Sequence, residues 1–330
     1  MADIDLEIVR VHRGGGERAG KSADLQDLAD RVAGWAADGE QVEAYVGRMP
    51  NRVPPCVMGH EVAGEVVAAG PDVDGSWVGR RVAINPIIGC GSCQACRAEA
   101  PNLCPARTLI GIQHPGGFAE RVTVPVECLV ELPAGLDVRL GAIVEPLANG
   151  VHAAGLGVAM GPVERALVIG AGMIGLACLQ AAQLSGIPGV AVVEPSLARR
   201  AHALDLGASR AFASLDEAEV GVDLVLDAVG AAATRRAAVD LVRPAGTVVL
   251  VGLHDDESPL PFHTVVRRSV TLRGSYAYTR AEFARALEWL AAGLAGIGEL
   301  PAVMPLERGP DVFAELASGP SAGVKQFLAG

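Results

Sequence analysis

Between Arg165 and Glu194 a strand, a glycine turn, a helix and a second strand follow one another, and this unit restricts the fold more than any other stretch of the chain. Ala166-Leu167-Val168-Ile169 is a short continuous apolar run, the pattern of a strand buried on both faces. It enters Gly170-Ala171-Gly172-Met173-Ile174-Gly175, after which Leu176, Leu179, Ala182 and Leu184 form an apolar helical pattern. Gly189-Val190-Ala191-Val192-Val193 is a second buried strand and ends on an acid, Glu194. In G-x-G-x-x-G the first glycine makes the tight turn, the second lets a pyrophosphate approach the backbone, and the third lets helix pack on strand. The helix N-terminus adds N–H groups and a positive dipole end. Gly170, Gly172, Met173, Ile174 and Gly175 are the predicted phosphate cradle. Glu194, 24 residues after Gly170, is the predicted acceptor for the adenosine ribose hydroxyls. With 41 glycines in 330 residues the motif alone says little; the strand–helix–strand setting and the terminal acid give it weight.

Further buried strands are predicted at 222–230, 246–252 and 270–276, which makes an α/β domain with a doubly wound parallel sheet. Ligands lie at strand C-terminal ends in such sheets, and Gly230, Gly252 and Ser275 fall there, where a nicotinamide would rest. An acid at 194 repels a 2′-phosphate and so favours NAD, while Arg199 and Arg200 keep NADP open. Arg199 either lies over the adenine or is a solvated helix charge. Residues 283–294 read as an amphipathic helix closing this domain. A net charge of −11 argues against nucleic acid or an anionic membrane as partner. No apolar run reaches the ~18 residues of a membrane span, and the N-terminus carries no secretory pattern.

The first 41 residues are harder to place. Ile4, Leu6 and Ile8 alternate with acids as in a half-buried strand, and Val9 and Val11 continue one residue out of phase. Gly15 to Ser22 then matches G-x-x-x-x-G-K-S, and Leu25, Leu28, Val32 and Trp35 follow at helical spacing. A phosphate-binding P-loop needs a parallel sheet and a second acidic strand, which the following sequence does not supply. A glycine-rich loop leading to a helix capped by Ser22 is the better reading.

Cys90-x2-Cys93-x2-Cys96-x7-Cys104 is the most specific motif in the chain. Four thiolates at this spacing can close a tetrahedral site with no open position, hence a structural rather than catalytic metal. Zinc and an iron–sulfur cluster both satisfy the ligand set. A cluster of four among seven cysteines fits a reducing, cytoplasmic setting better than a disulfide framework. Cys128 and Cys178 lie in apolar surroundings and read as core.

From Val42 onward the sequence resembles the zinc-containing medium-chain alcohol and polyol dehydrogenases. Gly59-His60-Glu61-x-x-Gly64-x5-Gly70 matches the family signature, and Gly79-Arg80-Arg81-Val82 stands where the family writes Gly-Asp-Arg-Val. The resemblance implies a GroES-like β-barrel over 1–147 and 293–330, a Rossmann domain over 148–292, and zinc at the four cysteines. It also implies a catalytic zinc held by His60 with Glu61 and with Glu145 of Val144-Glu145-Pro146-Leu147-Ala148. The family's first ligand, a cysteine, is replaced by Asp38. Glu40 takes the place of the Ser/Thr proton relay and Glu43 that of a relay histidine. Either Asp38, His60, Glu61 and Glu145 make an oxygen-rich site, or the segment 13–41 is displaced and the site is incomplete. Cys56 is a stand-in thiolate or a small buried side chain, and His114 of the Gly111–Glu120 loop is a second relay or an exposed histidine. The expected activity is hydride transfer between an alcohol or polyol and NAD by a cytoplasmic homodimer or homotetramer. The rivals are a zinc-stapled nucleotide-binding protein without dehydrogenase activity and a zinc-independent quinone reductase.

Overall fold

The computed structural model describes residues 6–9, 55–318 and 323–329. The chain divides into two compact units. One comprises Met1–Glu145, Leu300–Ser321 and Lys325–Gly330, the other Pro146–Glu299 with Ala322–Val324.

In the first unit, β1 (Leu6–Val9), β2 (Ala63–Ala69), β3 (Arg81–Ile84), β6 (Arg121–Thr123) and β7 (Leu129–Glu131) form an antiparallel sheet in the order β6-β1-β2-β3-β7. The β1–β2 register runs Glu7↔Ala68 and then Ile8↔Val66, so Val67 is the extra residue of a bulge. Val66, Val82, Ile84, Val122 and Leu129 are buried together with Ile110, Val124 and Cys128. The departure at Arg80 has a local explanation: its guanidinium lies 5.2 Å from the Trp77 ring centre and its Nη1 donates to Glu131 at 2.8 Å. A short pair, β4 (Ile87–Ile88) with β5 (Thr108–Leu109), brackets the cysteine lobe, whose described helix α1 is four residues long (Gln94–Arg97). Helix α8 (Gly309–Ala317) and a parallel pair, β14 (Val303–Pro305) with β15 (Phe327–Ala329), complete this unit.

Helix α2 (Val138–Val158) contains the boundary between the units, with Pro146 inside it. The strands of the second unit are β8 (Arg165–Ile169), β9 (Gly189–Val193), β10 (Arg210–Phe212), β11 (Val222–Asp227), β12 (Val242–Leu250) and β13 (Thr271–Gly274). They form a six-stranded parallel sheet in the order β10-β9-β8-β11-β12-β13. The intervening helices are α3 (Met173–Leu184), α4 (Leu197–Asp205), α5 (Ala232–Leu241) and α6 (Phe262–Arg267), with α7 (Arg280–Ala291) after the last strand. Order 3-2-1-4-5-6 with all strands parallel is the doubly wound dinucleotide-binding topology. The continuous apolar strands are buried as their pattern predicts. Leu167, Val168, Val225 and Val248 are all at 0% exposure, each worth roughly 1.5–3 kcal/mol relative to an exposed side chain. Gly150 of α2 is required by packing, since a Cβ there would stand 2.4 Å from the Ala177 backbone of α3.

Helix α7 begins earlier than the apolar pattern suggests. Thr279 accepts the Glu282 N–H at 3.3 Å, and the Glu282 carboxylate accepts the Thr279 N–H at 2.7 Å. This reciprocal cap starts the helix at Arg280. The same carboxylate lies 3.0 Å from His152 Nδ1 on α2.

Candidate functional site

The three glycines of the 170–175 turn do three different jobs. Gly170 has φ +93°, a left-handed conformation that favours glycine. A Cβ on Gly175 would stand 1.9 Å from the Gly170 carbonyl oxygen, so only glycine lets α3 pack this closely on the turn. Around Gly172 there is nothing within 4 Å of a built Cβ, so the backbone is open to an approaching group. Gly172 is also the N-cap of α3, and no side chain caps that helix end. Met173 and Ile174 begin the helix beneath this opening. Closed on two sides and open on the third, the turn has a shape that suits a phosphate at a helix N-terminus.

Glu194 holds this turn in shape. Its Oε2 accepts the Ala171 N–H and its Oε1 the Ser196 N–H, both at 2.9 Å, and the residue is 7% exposed. The carboxylate thus braces the backbone of the turn and the start of α4, a task that the sequence pattern does not assign to it. Ser196 caps α4, which places Arg199 in its first turn, half-buried. Arg200 donates to the carbonyls of Glu194 and Pro195 at 2.7 Å each.

Gly230 and Gly252 sit at the ends of β11 and β12, and each excludes a Cβ on the other's turn. A Cβ on Gly230 would meet the Gly252 oxygen at 2.0 Å, and one on Gly252 would meet the Val229 carbonyl carbon at 2.1 Å. Asp227, which the sequence reading places inside a strand running to Gly230, is the last residue of β11 and ties both turns. Its Oδ1 accepts the N–H groups of Val229 and Gly230 at 3.0 Å, and its Oδ2 accepts the Thr234 hydroxyl at 3.0 Å. Its carbonyl accepts the N–H groups of Val251 and Gly252 at 3.0 and 2.9 Å. Burial pushes the Asp227 carboxyl above the ordinary aspartate range, against the pull of these hydrogen bonds. An acid closing a buried strand just before a glycine is the signal available in the sequence. Ser275 is half-buried and donates its N–H to the Leu250 carbonyl at 2.9 Å.

In the other unit the sulfurs of Cys90, Cys93, Cys96 and Cys104 lie within 4.8 Å of one another. The N–H and hydroxyl of Ser92, with the Cys93 N–H, hold the Cys90 thiol down to about 6, which favours its thiolate form. Desolvation pushes Cys96 up to about 11, a charge penalty that a bound cation relieves. The Cys96 N–H points at Cys93 Sγ (3.4 Å) and the Cys90 N–H at Cys104 Sγ (3.5 Å), contacts suited to thiolates. These four residues fit a tetrahedral metal. Cys128 is buried at 1% exposure, and burial pushes the fully buried Cys178 thiol up to about 12; both are core.

The second metal set does not assemble in the same way. Among the described residues the four cysteines are the one group of three or more His, Cys, Asp and Glu side chains placed to share an ion. His60 (6% exposed) and Glu145 (7% exposed) are buried, but with Glu61 they do not meet that geometry. Glu61 is instead ion-paired with Lys325. Asp38, Glu40 and Glu43, together with the glycine-rich stretch Gly15 to Ser22, lie outside the described residues. The loop carrying His60 is packed backbone to backbone on the Gly111–Glu120 loop. Gly116, Gly117 and Phe118 donate their N–H groups to Val57, Gly59 and Met58, at 2.8, 2.8 and 3.1 Å. Gly59 has φ +100°, and a Cβ there would strike Phe118. The half-buried Cys56 Sγ lies 3.5 Å from the Ile112 carbonyl and packs against the Met58–Phe313 cluster. His114 is exposed, with its Nε2 2.8 Å from Thr108 Oγ1.

The parallel sheet with its glycine cradle, together with a β-domain stapled by four cysteines, defines the class: a dinucleotide-binding oxidoreductase with a structural metal lobe. Residues 30–134 match the alcohol dehydrogenase GroES-like domain, and residues 174–292 match the zinc-binding dehydrogenase domain. L-galactonate-5-dehydrogenase of Escherichia coli K12 is 35% identical over 267 residues, 77% of each chain. 2-dehydro-3-deoxy-L-galactonate 5-dehydrogenase of Pseudoalteromonas atlantica is 30% identical over 301 residues, 88% of this chain and 87% of that one. Among solved structures, a zinc-binding dehydrogenase from Sinorhizobium meliloti bound to NADP has a TM-score of 0.80, with 28% identity over 99% of each chain. An alcohol dehydrogenase from Escherichia coli CFT073 complexed with NADH has a TM-score of 0.81, with 26% identity over 90% of each. The chain belongs to the zinc-containing medium-chain alcohol and polyol dehydrogenases.

Proposed function

We propose that this protein transfers a hydride between a secondary hydroxyl of a polyol or sugar acid and NAD, giving the corresponding ketone. The observation that carries this is the 170–175 turn, where each glycine meets a separate requirement of pyrophosphate binding. The substrate class rests on the likeness to L-galactonate-5-dehydrogenase and 2-dehydro-3-deoxy-L-galactonate 5-dehydrogenase. Residues 148–292 would hold the cofactor, with Gly230, Gly252 and Ser275 beside the nicotinamide and Arg199 near the adenine. Residues 1–147 and 293–330 would form the catalytic domain. Bound NAD would supply the hydride acceptor at nicotinamide C4, and a carboxylate, Glu40 or Glu43, would take up the proton of the substrate hydroxyl. Glu194 favours NAD over NADP by roughly 1–3 kcal/mol, through charge repulsion and ribose hydrogen bonds.

The four-cysteine lobe is proposed to hold zinc. His60, Glu61 and Glu145 do not fit a shared metal as placed, and zinc assistance to the reaction depends on residues 38–43, outside the described residues. That observation supports a second reading, a zinc-stapled nucleotide-binding protein without turnover. Metal analysis combined with NAD reduction across alcohols, polyols and sugar acids separates the two. Turnover with two zincs per chain supports the dehydrogenase; one zinc, NAD binding and no turnover supports the second reading.

No described helix is long and apolar enough to cross a membrane. A cytoplasmic location is proposed because the thiolate cluster needs a reducing compartment. A homodimer or homotetramer is proposed on the apolar exposure of α6, where Phe262 is 64% and Val266 74% exposed, just before the edge strand β13. Light scattering of the purified protein tests it; a monomer at micromolar concentration removes it.

A further inference from the structure

We propose that Glu61 is the counter-ion of Lys325 rather than a metal ligand, and that the pair is a positioning device fixing the His60 loop to the C-terminal segment. The two side chains are 7% and 3% exposed and form an ion pair between Glu61 Oε2 and Lys325 Nζ. At that burial each charge is offset by the other, where an isolated ion would be expelled or neutralised. A divalent cation on Glu61 would place two further positive charges beside a buried ammonium, and the attraction that holds Lys325 would be lost.

The surroundings indicate what the pair does. Glu61 directly follows His60, in a loop already tied on its other side to Gly116, Gly117 and Phe118. Lys325 stands two residues before β15. Leu328 of β15 and Phe313 of α8 pack with Met58 and Phe118, and the Phe118 and Phe313 rings meet edge to face at 6.5 Å. The C-terminal segment therefore reaches the 56–61 loop through an apolar cluster and one charge pair. The apolar contacts bring the two segments together. The ion pair adds direction, because it is satisfied in a single register of Lys325 against Glu61. Lysine is also unusual here: only Lys21 and Lys325 among 27 basic residues are not arginine. A compact ammonium suits a closed site facing one carboxylate, where a guanidinium would bring further N–H groups needing partners.

The test is a double-mutant cycle in the full chain with Glu61→Gln, Lys325→Met and the two together. It is read by urea unfolding, zinc per chain and the ring 1H–15N resonances of His60, assigned by their loss in His60→Gln. Each single variant removes one charge of the buried pair and is expected to lower the folding equilibrium constant a hundred-fold or more. Each should also move the His60 resonances. The double variant, with no charge left to pair, is expected to recover most of the folding constant and the wild-type His60 signature. Zinc content should change alike in the two single variants, if it changes. Single variants too unstable to purify beside a double variant that folds support the pairing equally. Additive losses, or a double variant no better than either single one, overturn the proposal. Zinc lost in Glu61→Gln but kept in Lys325→Met overturns it in favour of Glu61 as a ligand. None of these readouts requires turnover, so the result stands apart from the dehydrogenase reading.

Discussion

Two alanine substitutions three residues apart should fail in opposite ways. At Gly175 the added Cβ would stand 1.9 Å from the Gly170 carbonyl oxygen and 2.7 Å from its carbon. Both atoms belong to backbone fixed by the sheet, so the start of α3 must move outward by roughly 1 Å to restore ordinary contact. Overpacking of this kind costs about 1–3 kcal/mol, which lowers Tm by roughly 2–12 °C for a unit of this size. At Gly172 the Cβ would meet nothing within 4 Å, and the backbone (φ −73°, ψ −175°) suits any L-residue. Gly172→Ala should therefore leave stability within about 1 kcal/mol. Its methyl group would occupy the opening through which the pyrophosphate reaches the helix N-terminus, so NAD affinity should fall about 10- to 100-fold, or ~1.4–2.8 kcal/mol. Differential scanning fluorimetry without ligand and calorimetric titration with NAD read the two effects separately. Wild-type NAD affinity in Gly172→Ala would refute the assignment of the open face to the cofactor. An unchanged Tm in Gly175→Ala would refute the packing argument.

Three further outcomes follow from the geometry. Cys93→Ser should remove the metal from the four-sulfur site and several kcal/mol of the binding free energy supporting that lobe; zinc analysis with limited proteolysis around residues 90–104 checks it, and retained zinc with an unchanged digest counts against it. Asp227→Ala should cost roughly 1–3 kcal/mol for each of the two N–H groups it leaves unsatisfied, whereas Asp227→Asn, whose amide oxygen can still accept from Val229 and Gly230, should lose much less; urea unfolding of the two variants decides. The Glu282 carboxyl is partly buried, which by itself would raise it, yet His152 and Thr279 hold it below the usual 4.5. A depressed folded-state value means stability present above pH 4.5 and lost as pH falls through the folded value, so Glu282→Gln should flatten the acid limb of the stability–pH curve.

Features written in consecutive residues are legible in the sequence, and features made by residues far apart are not. The glycine turn and the four cysteines carry their meaning in local spacing: the turn opens α3, and the four sulfurs lie within 4.8 Å of one another. Glu194 stands out in the sequence, but only for the ligand it would face. Its bond to Ala171 requires β9 to lie beside β8, which spacing does not specify. Helix α7 illustrates a near miss: the apolar pattern begins at Phe283, while the capping pair Thr279 and Glu282 sets the start in polar residues. Lys325 cannot be paired with Glu61 from the sequence, because nothing local links a C-terminal lysine to a loop in the first quarter of the chain. The bulge between Glu7 and Ile8 takes its extra residue, Val67, from the partner strand, which the phase of the β1 sequence does not specify. The readings at Asp38, Glu40 and Glu43 fall outside the described residues and stand as sequence inferences.

The brace from Glu194 to Ala171 bears on how fast a nucleotide can be captured. A loop that must fold around its ligand gives up conformational freedom at the moment of binding, and its encounter rate is limited by the fraction of time spent in the competent shape. Here the turn is set beforehand by a carboxylate fixed at both oxygens and by a helix resting on the Gly170 carbonyl. Association should then show a single phase, linear in nucleotide concentration, with no slow isomerisation at the adenosine end. Discrimination between nucleotides would fall on the departure step, so a poorly matched dinucleotide should arrive as quickly as a good one and leave sooner.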